Sequence, residues 1–146
     1  MIKIRDCGPQ INARHIADVE AAIGRELPAS YKAFLLKENG GLPTPDTVDI
    51  EAAPGSPTDV QVFFGIGRDV KSSDLSWNMD LVRKRWPNLR LLPVACDSGG
   101  GLFCLDLFEE FTGGVMYCEL SGPHIVCYEV ASNFESFLEK IREWKQ

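Results

Sequence analysis

Four short apolar runs follow one another closely between residues 91 and 130, and their spacing constrains the fold more than any other feature. The runs cover residues 91–96, 102–107, 115–120 and 124–130. Linkers this short join antiparallel strands, because a parallel connection needs a crossover of about a dozen residues or more. The sequence therefore predicts an antiparallel meander of about four strands.

The first linker, Asp97-Ser98-Gly99-Gly100-Gly101, is rich in glycine, which allows two interpretations. Successive glycine amides can form an anion-binding nest, but a phosphate loop normally leads into a helix amino terminus. This run leads into an apolar strand and begins with an acidic residue, so we interpret it as a hairpin turn.

Amphipathic periodicity predicts helices on both sides of the meander. The first covers residues 12–23, with Asn12 as the amino-terminal cap and Gly24 as a left-handed stop. The second begins after Leu27 and ends at residues 39–41, and the third covers residues 74–85. The last helix begins at a capping box formed by Ser132 and Glu135 and extends to Trp144.

Segregated helices and strands indicate an α+β fold: a largely antiparallel central sheet of about 4 to 6 strands, N-terminal helices and a packed C-terminal helix. A chain of 146 residues with 45% apolar content is long enough to bury one core, so residues 1–146 are expected to form a single domain. Residues 42–58 carry several prolines, which predicts a surface loop there.

The charge balance is acidic, with 21 Asp and Glu against 15 Lys and Arg and a net charge of −6. A negative chain is not attracted to nucleic acid or to anionic lipid, and no apolar run approaches the roughly 18 residues of a membrane helix. We therefore expect a cytoplasmic protein without nucleic-acid or membrane partners.

Acidic residues are concentrated in two basic-free segments, residues 38–67 and 91–139. Such segregation either keeps the protein soluble or presents a surface to a cationic partner protein. In the second case the candidate contacts are Asp46, Asp49, Glu51, Asp97, Asp106, Glu109, Glu110 and Glu119.

Few residues point to catalysis. The chain has two histidines and five cysteines, without a C-x-x-C pair or a known nucleophile motif. We expect free and mostly buried thiols, no metal, no cofactor and no enzymatic activity. A small enzyme that uses a cysteine or carboxylate is the alternative from this composition, and one thiol of lowered pKa would reveal it.

Three blocks of sequence resemble the SUKH superfamily. They read ELPASYKAFL at residues 26–35 with ENGG at 38–41, LPVA at 92–95 with DSGGGLFCLDL at 97–107, and EVASNFESFL at 129–138. The chain departs from the superfamily pattern at Ala95, where glycine is usual, and at Gly101, where a polar residue is common.

This resemblance implies an α+β domain of the type found in the yeast Smi/Knr cell-wall assembly regulator and in many bacterial immunity proteins. It implies no catalytic residue. Immunity proteins of this kind neutralise a cognate toxin, often a nuclease, whose substrate groove must be cationic. The resemblance and the acidic surface together predict a non-enzymatic immunity protein; the alternative is a cytoplasmic regulatory module with a non-toxin partner. We expect a monomer or a weak homodimer paired through an exposed sheet edge.

Overall fold

The computed structural model describes residues 2–107, 113–120 and 124–145. The helices in this part of the chain are α1 (Ala13–Ile23), α2 (Ala29–Lys37), α3 (Leu75–Arg85) and α4 (Phe134–Lys140). The strands are β1 (Lys3–Arg5), β2 (Leu42–Thr44), β3 (Thr47–Val48), β4 (Thr58–Asp59), β5 (Val62–Phe63), β6 (Leu92–Cys96), β7 (Leu102–Leu105), β8 (Val115–Glu119) and β9 (Val126–Ala131).

The central sheet has five strands in the order β5-β6-β7-β8-β9, and every neighbouring pair is antiparallel. Its last four strands are the predicted meander, with ends that differ by a few residues from the apolar runs. The α+β fold with a largely antiparallel sheet is thus confirmed. The register shifts between Val115 and Met116, where β9 carries an extra residue opposite β8.

The prediction of a surface loop at residues 42–58 is only partly correct. Two short antiparallel sheets involve this segment: β1 pairs with β2, and β3 pairs with β4. Val48 and Ile50 are buried at 0% and 1% exposure, so the segment also contributes to the core. The prolines keep these strands short and outside the central sheet, but they do not prevent edge pairing.

Helix α1 begins and ends where the sequence predicts. The Asn12 side chain accepts the backbone N–H of Arg14 at 3.0 Å, and His15 Nδ1 accepts the backbone N–H of Asn12 at 3.1 Å. Gly24 closes the helix at φ 80°, a conformation that costs glycine little.

Helix α4 differs from its prediction at both ends. Asn133, rather than Ser132, is the cap, and its side chain accepts the backbone N–H of Ser136 at 2.8 Å. The helix ends at Lys140 because Arg142 pairs with Thr47 through two backbone hydrogen bonds of 2.7 and 2.9 Å. Trp144 therefore lies beyond the helix and is 61% exposed.

An aromatic cluster joins the helices to the sheet. Phe134 of α4 contacts Tyr31 and Phe34 of α2 with ring centroids 5.0 and 5.1 Å apart, and Phe34 lies 4.9 Å from Phe63 of β5. Phe137 of α4 extends the cluster to β7. Tilted and edge-on rings of this kind add to the free energy of apolar burial, so the cluster holds α2 and α4 against the sheet.

The turn between β6 and β7 is built around the carboxylate of Asp97, which is 4% exposed. Its Oδ1 accepts the backbone N–H groups of Gly99 and Gly101 at 3.1 and 2.7 Å. Its Oδ2 accepts the hydroxyls of Thr58, at 2.8 Å, and of Tyr117. The predicted hairpin is confirmed, and its acidic residue satisfies the donors of the turn and of two other strands.

We expect Asp97→Ala to lower the free energy of unfolding by about 3 kcal/mol or more. A hydrogen bond to a charged group contributes about 1.5–3 kcal/mol, and the substitution leaves four donors without this acceptor. Urea denaturation of the variant and of Asp18→Ala, an exposed acid on α1, measures the difference. Equal stability of the two variants would contradict this role.

Candidate partner-binding surface

The loop between β3 and β4 has a fixed path over the edge of the molecule. The Ser56 hydroxyl accepts the backbone N–H of Ile50 at 2.9 Å, which closes the loop on itself. Thr58, at its end, donates to the buried Asp97, and Thr47, at its start, pairs with Arg142. Because both ends and the middle are held, the backbone that carries the acidic residues of this loop has a defined path.

A cavity of about 450 Å³ separates this loop from the end of β9. Its lining residues come from the loop, from β9 and from α4: Asp49, Glu51, Ser56, Glu129, Val130 and Lys140. Three carboxylates and one ammonium group thus face one concave surface, which we call the acidic cavity.

The charges around the acidic cavity are not equally available to a partner. Asp49 receives two hydrogen bonds from the guanidinium of Arg142, at 2.7 and 2.8 Å, and the Lys140 ammonium donates to the carbonyl of Val130 at 2.7 Å. Glu51 and Glu129 are exposed, and neither takes part in an ion pair with any other described residue. These two carboxylates present the accessible negative charge.

The Arg142 guanidinium also changes the titration of Asp49. Its hydrogen bonds to the carboxylate, followed by its positive charge, hold the pKa of Asp49 below the ordinary value. Asp49 therefore stays ionised in moderately acidic solution, with its charge largely balanced by Arg142.

The predicted contact residues have different locations. Asp49 and Glu51 line the acidic cavity, and Asp46 is exposed directly before β3, where its carbonyl accepts the N–H of Val60 at 2.7 Å. Glu119 lies beside the loop as well, because it lines a smaller cavity that shares Ser56 with the acidic cavity. Asp49, Glu51 and Glu119 thus lie around one loop, and Asp46 precedes the strand that leads into it.

The remaining predicted residues are separate from this group. Asp97 is buried within the fold, so the surface that we propose below does not include it. Asp106 follows β7 and lies beside the start of β8, where its backbone pairs with Gly113 and Gly114. Glu119 is at the other end of β8. A five-residue strand separates the two ends by about 15 Å. Glu109 and Glu110 lie outside the described residues.

The sequence interpretation did not select Glu129, although it belongs to the basic-free segment. Its place in the acidic cavity depends on the packing of the β3–β4 loop against β9, which periodicity does not encode. The same applies to Arg142, whose partner Asp49 is 93 positions away. An ion pair at that sequence separation has no local signal.

His15 and the five cysteines do not line the acidic cavity. His15 serves the cap of α1, and the five cysteines are free thiols, of which Cys104 and Cys118 are buried. Burial raises the pKa of Cys96 to about 11, and burial with the adjacent Glu38 raises that of the exposed Cys7. Within the described ranges, no group of three or more His, Cys, Asp or Glu is placed to hold a metal ion. None of the described helices is long and apolar enough to cross a membrane.

The fold and the comparisons with known proteins agree on the class of protein. The chain matches the SMI1 / KNR4 family (SUKH-1) over residues 10–140. Since this match covers most of the chain, the protein belongs to the SUKH family.

A relative in Bacillus subtilis (strain 168) is the SPbeta prophage-derived uncharacterized protein YokK. It is 30% identical to this chain over 149 aligned positions, which span 89% of this chain and 74% of the relative.

The ion pair at the acidic cavity predicts a pH effect. Because the folded-state pKa of Asp49 is below the unfolded value of about 3.9, the pair contributes stability above that pH. The contribution is lost as the pH falls through the folded-state pKa. Carbon-13 NMR titration of the carboxyl group should show a depressed pKa for Asp49, and Arg142→Gln should return it to the ordinary range. An unchanged pKa in that variant would mean that Arg142 does not cause the shift.

Proposed function

We propose that this protein is a cytoplasmic, non-enzymatic immunity protein that binds and neutralises a cationic toxin domain. The observation that carries the proposal is the acidic cavity, where Glu51 and Glu129 are exposed without basic partners among the described residues. A preformed concave surface with an excess of negative charge attracts a positively charged partner and raises the rate of association.

Family membership supports the same function. SUKH domains of bacteria commonly act as immunity proteins, and the relative in Bacillus subtilis carries a name that places it in a prophage. Mobile elements are a setting in which a toxin and its inhibitor are inherited together. A toxin that acts on nucleic acid fits best, because its groove must be positive to hold phosphates.

The proposed mechanism is occlusion. Basic side chains of the toxin groove would pair with Glu51 and Glu129, while Asp46 and Glu119 extend the negative potential around the loop. Because Arg142 balances the charge of Asp49, we propose that Asp49 contributes to the shape of the surface and adds little to its negative charge. Covering the groove blocks substrate access and requires no chemistry by the inhibitor.

The test is a pair of doubly substituted proteins that have the same net charge. Glu51→Lys with Glu129→Lys reverses the charge at the cavity, and Asp18→Lys with Asp80→Lys reverses two exposed acids on α1 and α3. An immunity gene is expected directly beside the gene of its toxin, so the test partner is the product of the adjacent gene. With this partner, the first variant should associate about tenfold more slowly or worse, with a weaker salt dependence. The second should stay close to the unchanged protein.

Two results would contradict the proposal. Equal effects of the two variants would mean that net charge alone steers the encounter, and the acidic cavity would not be the interface. Failure to bind the neighbouring gene product at low salt would instead favour the regulatory module with a partner other than a toxin. Thermal unfolding of both variants controls for loss of the fold.

A further inference from the structure

Three cysteines lie close together on one face of the central sheet. Cys104 belongs to β7, Cys118 to β8 and Cys127 to β9. Cys118 pairs directly with Cys127 in the β8–β9 register, whereas Cys104 pairs with Met116, two residues before Cys118. Since side chains alternate along a strand, all three thiols project to the same side.

The pair across β8 and β9 has the geometry of a disulfide precursor. The two Sγ atoms are 2.8 Å apart. Directly opposed residues of antiparallel strands have Cα atoms about 4.5–5.5 Å apart, which lies inside the range of about 4.4–6.8 Å that disulfides span. We propose that Cys118 and Cys127 form an oxidisable pair that closes to a cross-strand disulfide with a small disulfide oxidant such as glutathione disulfide.

The reaction proceeds by two thiol–disulfide exchanges. The Cys127 thiolate attacks one sulfur of glutathione disulfide and forms a mixed disulfide, and one glutathione thiolate leaves. The Cys118 thiolate then attacks the Cys127 sulfur and expels the second glutathione. Two protein thiols are oxidised, one glutathione disulfide is reduced to two glutathiones, and the two protons end on the leaving thiolates.

The accessibility of the two thiols sets this order of attack. Cys127 is partly exposed, whereas Cys118 is 0% exposed and has no direct access to an oxidant. The hydrogen bond between the two thiols and burial raise the pKa of Cys127, and a hydrogen bond with Cys104 is the main cause of the raised pKa of Cys118. Both groups are thus protonated at neutral pH, and the exchange should be run in mildly alkaline solution.

The other cysteines are less suitable partners. Cys104 is diagonal to Cys118, and diagonal positions have Cα atoms about 7–8 Å apart, beyond the disulfide range. Cys96 contacts Gln61, and Cys7 contacts Ile4 and Glu38 near the first strand. The structure therefore assigns the bond to one pair among five thiols.

The sequence offers a direct way to map the bond. No Lys or Arg lies between residues 91 and 139, so trypsin would leave four cysteines in one fragment. A protease that cleaves after glutamate instead separates Cys118, in residues 111–119, from Cys127, in residues 120–129. Cys96 and Cys104 then remain in residues 52–109.

The experiment treats the reduced full chain with glutathione disulfide, alkylates the remaining thiols after denaturation, and analyses the digest by mass spectrometry. Fragments 111–119 and 120–129 should appear linked, with two of the four thiols of the Cys7→Ser protein lost. Cys7→Ser in all proteins removes the exposed thiol that would link two chains. The protein that carries only Cys7→Ser, with Cys118 and Cys127 both present, is the decisive sample, because it has no substitution in the core.

Matched variants separate the proposal from general thiol reactivity. Cys104→Ser should still give the linked fragments, whereas Cys118→Ser should stop at a glutathione adduct on Cys127. Circular dichroism checks that both variants remain folded. A link between Cys104 and Cys118, or a lasting glutathione adduct on Cys127 when Cys118 is present, would overturn the proposal. So would full retention of all thiols by the folded chain under conditions that oxidise the denatured chain.

Discussion

The proposed partner-binding surface depends on the hydrogen bonds that the buried carboxylate of Asp97 accepts. It accepts hydrogen bonds from the β6–β7 turn, from Tyr117 of β8 and from Thr58, where the β3–β4 loop ends. A buried charge is tolerated only when its hydrogen bonds are satisfied, so these three segments must pack against one another in the folded protein. One end of the loop that carries the exposed acids is therefore held by an acid that is itself buried.

The residues that mark the SUKH family serve the fold in the same way. The Asn39 side chain donates to the carbonyls of Pro9 and Ile66, and Gly40 has φ +75° with the carbonyl of Phe63 2.6 Å from where a Cβ would lie. Gly101 departs from the family pattern, and here a Cβ would clash with Tyr117. The family motif thus reports backbone geometry, whereas Glu51, one of the two exposed acids of the proposed partner surface, lies outside the motif blocks.

Local signals account for most of what the sequence predicted correctly. Helices α1 and α3 and the strands of the meander follow from periodicity, caps and short turns, which act within a few residues. The errors arise where distant segments pair. Strand β1, which the sequence did not predict, has only three residues and pairs with β2 on the far side of helices α1 and α2 in the chain. Helix α4 ends early because Arg142 pairs with Thr47. These contacts override local helix propensity, and no window of sequence contains both partners.

The sequence by itself determined the α+β class, the family and an acidic chain with segregated charge, because composition, periodicity and turn residues act locally. Only the tertiary structure decided what each acid does. Asp97 became a buried acceptor, Asp49 the partner of Arg142, and Glu51 and Glu129 two exposed carboxylates at one cavity. A carboxylate's role follows from its burial and from the donors around it, and both are set by segments far apart in the chain.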